Sequence, residues 1–200
     1  MRDSTLDVNQ RIAGRLKELR AAQAFSLEAL AAKSGVSRSM ISLIERGESS
    51  PTAVLLEKLA AGLNVALASL FDAPDAVGQR PSSPIARREE QPQWRDPASG
   101  YLRRNVSPSG VPQPVQITEV HFPADGRVAF EAGTRDVRVH QQVWVLEGEI
   151  DITVGEQRHS LREGDCLAMQ LDGPTMFHNP TQKPSRYAVV IACENPSRRR

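Results

Sequence analysis

The chain has 200 residues, with 40% apolar and 24% charged side chains and a formal net charge of +1. That is enough for one large domain or two small ones, and too apolar for a disordered class. No apolar run approaches the roughly 20 residues of a membrane-crossing helix, and residues 1–7 lack the apolar centre of a secretory signal. Two cysteines, Cys166 and Cys193, are too few for a disulfide scaffold and form no CxxC zinc motif. The expectation is a cytoplasmic protein with reduced thiols and no membrane partner.

Val8, Ile12, Leu16 and Leu19 recur at helical spacing and predict a first amphipathic helix. Ser26 suits the N-cap of a second helix, 27–33, which Ser34-Gly35 ends. Phe25 before that cap and Leu30 after it form a hydrophobic staple. The device repeats at once, with Ser37 as cap of a third helix and Val36 and Ile41 as its staple. Two short helices joined by Ser-Gly-Val-Ser must cross steeply, and Ala31 and Gly35 offer small side chains for the crossing and the turn. A fourth helix follows Pro51-Thr52, with Val54, Leu55, Leu59 and Leu63 on its apolar face, and residues 66–71 predict a short fifth helix. The arrangement is a helix-turn-helix in a five-helix bundle.

The run Phe25-Ser-Leu-Glu-Ala-Leu-Ala-Ala-Lys-Ser-Gly-Val-Ser-Arg-Ser-Met-Ile-Ser-Leu-Ile-Glu-Arg-Gly-Glu-Ser-Ser-Pro51 resembles the xenobiotic-response-element (XRE) family of bacterial and phage repressors, with its lambda-repressor-like bundle. Leu27 departs from it, since many members carry there a Gln that binds a DNA phosphate. The resemblance implies that the N-terminal end of the third helix enters the major groove of operator DNA. Ile41 and Ile44 then face inward. Arg38, Ser39, Ser42 and Leu43 face the groove, with Ser37 at its lip. Arg38 is placed for a bidentate bond to guanine, worth about 1–3 kcal/mol of discrimination. Arg46, Ser49 and Ser50 are phosphate candidates, which fix register without reading sequence. Arg20 and Glu45 match a family pair that forms a buried salt bridge, a structural role. Residues 1–72 carry nine Lys/Arg against eight Asp/Glu, a field so weak that two heads on half-sites roughly 34 Å apart are needed for affinity. A homodimer is expected.

Residues 73–98 hold Pro74, Pro81, Pro84, Pro92 and Pro97, with only Val77, Ile85 and Trp94 as large apolar side chains. This stretch reads as a semi-rigid spacer that packs no core. Beyond it, 115–122, 138–146, 149–154, 165–171 and 186–192 read as strands. Breaks fall at Gly126, Gly133, Gly148, Gly155, Gly164 and Gly173, which suits a β-sandwich or small barrel. Cys166 and Cys193 lie in apolar strand sequences, where burial makes thiols inert. Trp144 and Phe177 read as core or dimer interface.

Trp144-Val-Leu-Glu-Gly-Glu-Ile150, Leu161-Arg-Glu-Gly-Asp165 and Pro174 through Asn179-Pro180 resemble the cupin superfamily, a jelly-roll double-stranded β-helix. Many cupins hold a metal through two His and a Glu on one strand and a His on a later hairpin. Anchoring the family spacing on Gly148, Gly164 and Asn179 puts those positions on Arg135, Val137, Gln141 and Thr175, none of them a usual ligand. His140 and His178 lie one and three positions away, and a strand bulge brings back one at most. The resemblance thus implies a barrel without metal or other cofactor. Arg135, Gln141 and Thr175, with His140 beside them, are candidates for an effector pocket that clamps a small carboxylate or amide. Equally, they satisfy one another or buried water.

The whole reads as a two-domain α + β chain. Residues 1–73 are the DNA-binding domain, 74–98 the linker, 99–195 the cupin domain and 196–200 a basic tail. The function expected is a dimeric bacterial transcription regulator with a small-molecule sensor and no catalysis. The alternative is a metal-dependent cupin dioxygenase or isomerase tethered to DNA.

Overall fold

The computed structural model describes residues 4–71, 83–111, 114–131 and 138–194. Four α-helices come first: α1 Ser4–Ala22, α2 Leu27–Ser34, α3 Arg38–Glu45 and α4 Ala53–Gly62. Ser26, Ser37 and Thr52 each accept a bond from the backbone N–H three residues on, so all three N-caps are made by hydroxyls. Val8, Ile12, Leu16, Leu30, Ile41, Ile44, Leu56 and Leu59 bury the helical core. The expected fifth helix is a 3₁₀ turn, Leu67–Phe71, rather than an α-helix. It starts three residues after Asn64, whose φ of +54° has already broken the helical path, and its Ser69 N–H closes back on Ala66 O at 2.9 Å. Five residues leave little room for an α-helical ladder.

Among the described residues the rest is a short 3₁₀ turn, Arg88–Glu90, and ten antiparallel strands: β1 Gln93–Arg95, β2 Leu102–Asn105, β3 Val115–Phe122, β4 Arg127–Phe130, β5 Arg138–Glu147, β6 Glu149–Val154, β7 Gln157–Arg162, β8 Cys166–Gln170, β9 Thr175–His178 and β10 Ser185–Glu194. They form a six-stranded sheet, β1-β2-β3-β10-β5-β8, and a four-stranded one, β4-β9-β6-β7. The inner faces meet through Val120, Phe122, Val143, Ile150, Ile152 and Tyr187, all buried. Gly148 turns β5 into β6 with a φ of +78°, and a Cβ there would sit 3.3 Å from the Pro184 carbonyl oxygen.

The proline-rich stretch is more than a spacer. Its prolines at 74 and 81, with Val77, lie outside the described residues, and Ile85 is exposed. Its far end, however, pairs as β1 with β2, and Trp94 is only 2% exposed. A single indole buries as much surface as several small residues, so the composition of the stretch hides its one core side chain. Trp94 lies 5.5 Å from Phe71 of the 3₁₀ turn and 6.0 Å from Tyr101. Beyond it Tyr101, Phe122, Tyr187, Phe177 and Phe130 continue the ring contacts at 5.8–6.1 Å. Asp96 adds a polar tie, since its Oδ1 accepts the buried N–H of Ala53, the first residue of α4, at 2.9 Å. Its Oδ2 accepts the backbone N–H of Ser99 at 2.9 Å. A carboxylate at a helix N-terminus also meets the positive end of the helix dipole.

Asp96→Ala leaves the Ala53 N–H without that acceptor. We expect it to lower the unfolding free energy by about 1.5–3 kcal/mol, the range for a hydrogen bond to a charged group, measured by urea titration of the full chain. An unchanged midpoint and slope would contradict the tie between the two parts.

Candidate functional site

The turn between α2 and α3 follows from three residues. Ser34 ends α2, Gly35 takes the left-handed conformation with a φ of +67° and donates its N–H to Ala31 O at 2.9 Å, and Ser37 opens α3. A Cβ on Gly35 would meet nothing within 4 Å, so glycine is needed there for its backbone angle. The close approach falls elsewhere. A Cβ on Gly62, at the end of α4, would lie 2.9 Å from the Ser34 Cβ.

Ile41 and Ile44 are buried on α3, while Ser37, Arg38 and Ser39 stand exposed at its N-terminal end. The Arg38 side chain is 67% exposed and pairs with Glu28 Oε1 at 2.8 Å. Ser37 Oγ and Ser39 Oγ are 3.2 Å apart. Ser42 and Leu43 are half-buried one turn on. Arg46 hydrogen-bonds to Ser42 Oγ and pairs with Glu48 at 2.7 Å; Glu48 holds the Arg46 guanidinium above its ordinary pKa. Both ion pairs lie in solvent, where salt screens them and a phosphate or guanine can replace the carboxylate. Ser50 Oγ accepts from Asn9 Nδ2 at 3.0 Å, which ties the loop after α3 to α1. Ser49 Oγ makes only a long contact, 3.9 Å, to Met40 Sδ.

Behind this surface, Arg20 grips Glu45 with two bonds, Nε to Oε1 at 2.6 Å and Nη2 to Oε2 at 2.7 Å. Its Nη1 also donates to the Phe25 carbonyl at 2.9 Å. The carboxylate raises the Arg20 pKa further. One side chain thus joins α1, α3 and the entry to α2.

The second feature is a cavity inside the barrel of about 70 Å³, room for on the order of five waters. Gln141 and Thr175 are buried and line it, as does Phe177. His140 does not. Along β5, residues 139, 141, 143 and 145 are buried, so the alternation turns His140 outward, where it is exposed. Arg135 and Val137 lie outside the described residues. Cys166 and Cys193, expected buried, are exposed. Trp144, expected in a core or a dimer interface, is 51% exposed and so is not a core residue.

The lining also includes residues that periodicity did not reveal. Tyr101, Arg103 and Tyr187 are buried polar side chains at its wall, and Glu57, Ala66 and Leu67 close it from the helical part. Burial pushes the phenols of Tyr101 and Tyr187 well above their ordinary pKa, so both are neutral donors. Among the described residues no group of three or more His, Cys, Asp and Glu gathers as a metal site. Gln141 and Thr175 bring an amide and a hydroxyl to the wall, not the imidazole and carboxylate that a divalent transition metal favours.

A helix-turn-helix with an exposed N-terminal end on its second helix is a DNA-reading head, and here it is joined to a barrel that holds a cavity. Such a chain is a DNA-binding regulator in build. Residues 16–70 match the family HTH_3, described as helix-turn-helix. The chain is 30% identical over 179 residues to the HTH-type transcriptional regulator SutR of Escherichia coli K12, covering 88% of this chain and 91% of that protein. The structure of an HTH_3 family transcriptional regulator from Vibrio cholerae matches 96% of this chain and 99% of its own, at 26% identity and a TM-score of 0.74. Hydroxypropylphosphonic acid epoxidase from S. wedmorenis covers 95% of the chain at 19% identity and a TM-score of 0.45, a likeness too weak to bear on function. The chain belongs to the XRE-type helix-turn-helix transcriptional regulators and binds DNA. No helix among the described residues is long and apolar enough to cross a membrane.

Glu45→Ala strands the Arg20 guanidinium at a mostly buried site. We expect a loss of about 3 kcal/mol, the low end for breaking a buried pair, read by thermal or urea unfolding, with operator sequence preference unchanged. Altered preference at unaltered stability would contradict the structural role.

Proposed function

We propose that this protein is a one-component regulator that binds an operator as a homodimer and answers to a small molecule held in a cupin barrel. The observation that carries the DNA-reading half is the α3 end, where Arg38 and Ser39 are exposed while Ile41 and Ile44 anchor the helix. Arg38 reads a base edge, most simply guanine. Ser37, Ser39, Ser42 and Leu43 shape the contact. Arg46, Ser49 and Ser50 hold phosphates. Each arginine exchanges a surface carboxylate for DNA on binding, so affinity falls steeply with salt. The site of action is the bacterial cytoplasm, where the operator lies.

For the dimer, support comes from the outer face of the six-stranded sheet. Val115, Ile117 and Trp144 are 38%, 39% and 51% exposed. The register sets Ile117 against Val190 and Ala188 against Trp144, so these side chains share one face with small neighbours. An exposed apolar face of this kind suits an isologous contact with a second copy. Domain limits of 1–73 for the reading head and 99–195 for the barrel fit this division of labour, with β1 and Asp96 in the intervening stretch serving as the tie. For sensing, Gln141 and Thr175 offer hydrogen bonds within an otherwise aromatic and aliphatic cavity. The regulator relatives favour a non-enzymatic role, and the absence of suitable metal ligands at Gln141 and Thr175 weighs the same way.

Selection of binding sites from random DNA should return a palindrome with half-sites about one helical turn apart. Arg38→Ala is expected to weaken binding to that site roughly tenfold or more, within the range for one bidentate base contact, while leaving the oligomer intact. Unchanged affinity would refute the recognition-helix assignment. Trp144→Glu should convert a dimer into a monomer by light scattering; a wild-type monomer at micromolar concentration would refute the pairing itself.

A further inference from the structure

Arg103 belongs to three environments at once. It lines the barrel cavity. Its Nη2 donates to Thr118 Oγ1 at 2.9 Å. Its guanidinium carbon sits 5.2 Å from the centroid of the Phe71 ring, which belongs to the 3₁₀ turn that closes the helical part. The side chain is charged at every physiological pH, yet the residue is only 5% exposed. No charged residue lining the cavity is as deeply buried: Glu57 is half-buried, and Glu131 is exposed and already paired with Lys58 at 2.9 Å.

The rest of the wall suits the body of a small organic acid. Phe122 and Phe177 offer flat apolar surface, and Gln141, Thr175, Tyr101 and Tyr187 are neutral hydrogen-bonding groups, each more than nine-tenths buried. The phenols are neutral, and the carboxylates of the lining lie nearer solvent than Arg103, Glu57 half-buried and Glu131 exposed and paired with Lys58. A guanidinium in a buried wall attracts a carboxylate more strongly than one exposed to water.

We propose that the cavity takes a small organic carboxylate whose anion meets Arg103, and that Arg103 reports its arrival to the DNA-reading domain through Phe71. This rests on reading the cavity as the effector site and adds the ligand class and the route of coupling. The physical link is the cation–π contact. A carboxylate that draws the guanidinium toward the cavity, or neutralises its field, weakens its hold on the Phe71 ring. The ligand shifts operator affinity only by its differential affinity for the docked and loosened arrangements. Because Glu57, Ala66 and Leu67 also form cavity wall, the reading domain feels the ligand directly as well.

The test uses the full-length protein, its selected operator, and three acids each paired with its neutral amide: benzoate and benzamide, isovalerate and isovaleramide, phenylacetate and phenylacetamide. At least one acid should raise the melting temperature and change operator affinity severalfold, with its amide at least tenfold weaker. Arg103→Met should lose that acid by tenfold or more. Arg103→Lys, which keeps the charge without the planar fork, should retain a weakened response and guards against misfolding of the first variant. Phe71→Leu should still bind the acid while losing most of the change in operator affinity. Amides that bind as tightly as acids, or acids that bind Arg103→Met unchanged, overturn the carboxylate assignment and leave the effector cavity standing. Binding by none of the six also overturns it. A cavity-blocking Thr175→Phe variant that folds and leaves regulation of a reporter in cells unchanged overturns the effector reading beneath it.

Discussion

The run of contacting aromatic rings from Phe71 to Phe130 is the constraint on which the molecule's organisation depends. Seven of the nine aromatic side chains of the chain join it, one ring touching the next across the boundary between helices and barrel. Each such pair adds about 0.5–1.5 kcal/mol beyond simple burial. Its position matters as much as its energy. Trp94 is the hinge ring, held between Phe71 on the helical side and Tyr101 on the barrel side, while Asp96 two residues on caps α4. The two domains therefore share a core at the place where a tethered pair would have only solvent.

That shared core changes what a ligand in the barrel can do. In two units joined by a flexible spacer, cavity occupancy would reach the DNA-reading helix only through the dimer interface. Here α4 and the 3₁₀ turn form part of the cavity wall, and α3, which carries Arg38, packs against the same helical core through Ile41 and Ile44. The Arg20–Glu45 pair fixes α3 to α1 and keeps the reading surface stiff. Under the proposed coupling, a change at Phe71 would reach the head as a rigid displacement, the kind of motion that would alter the spacing of two half-site contacts in a dimer.

Much of this was legible in the residues, for identifiable reasons. The helix-turn-helix could be read because Ser26, Ser37 and Thr52 sit where caps belong and Gly35 where a left-handed residue is required. Strands β3, β5 and β6 could be read from their apolar content and glycine breaks. Strands β2 and β7 could not. Leu102-Arg-Arg-Asn105 looks like a polar loop, yet Arg104 pairs with the buried Glu119 and Arg103 turns inward. Gln157–Arg162 is an edge strand that half-buries only His159 and Leu161, and with a single apolar side chain its sequence shows no apolar alternation. Among the cavity residues, Gln141 and Thr175 followed from family spacing, whereas His140 failed on strand parity. Tyr101, Arg103 and Glu57 were hidden because the wall they form exists only after two distant segments dock. The tie at Trp94 and Asp96 was masked by the prolines around it.

Whether reading head and barrel share one core is decided by calorimetric unfolding of the full chain. A shared core gives a single cooperative transition whose calorimetric and van't Hoff enthalpies agree, and which Trp94→Ala splits in two. Two separate transitions in the unaltered protein would show that head and barrel unfold independently and would contradict it.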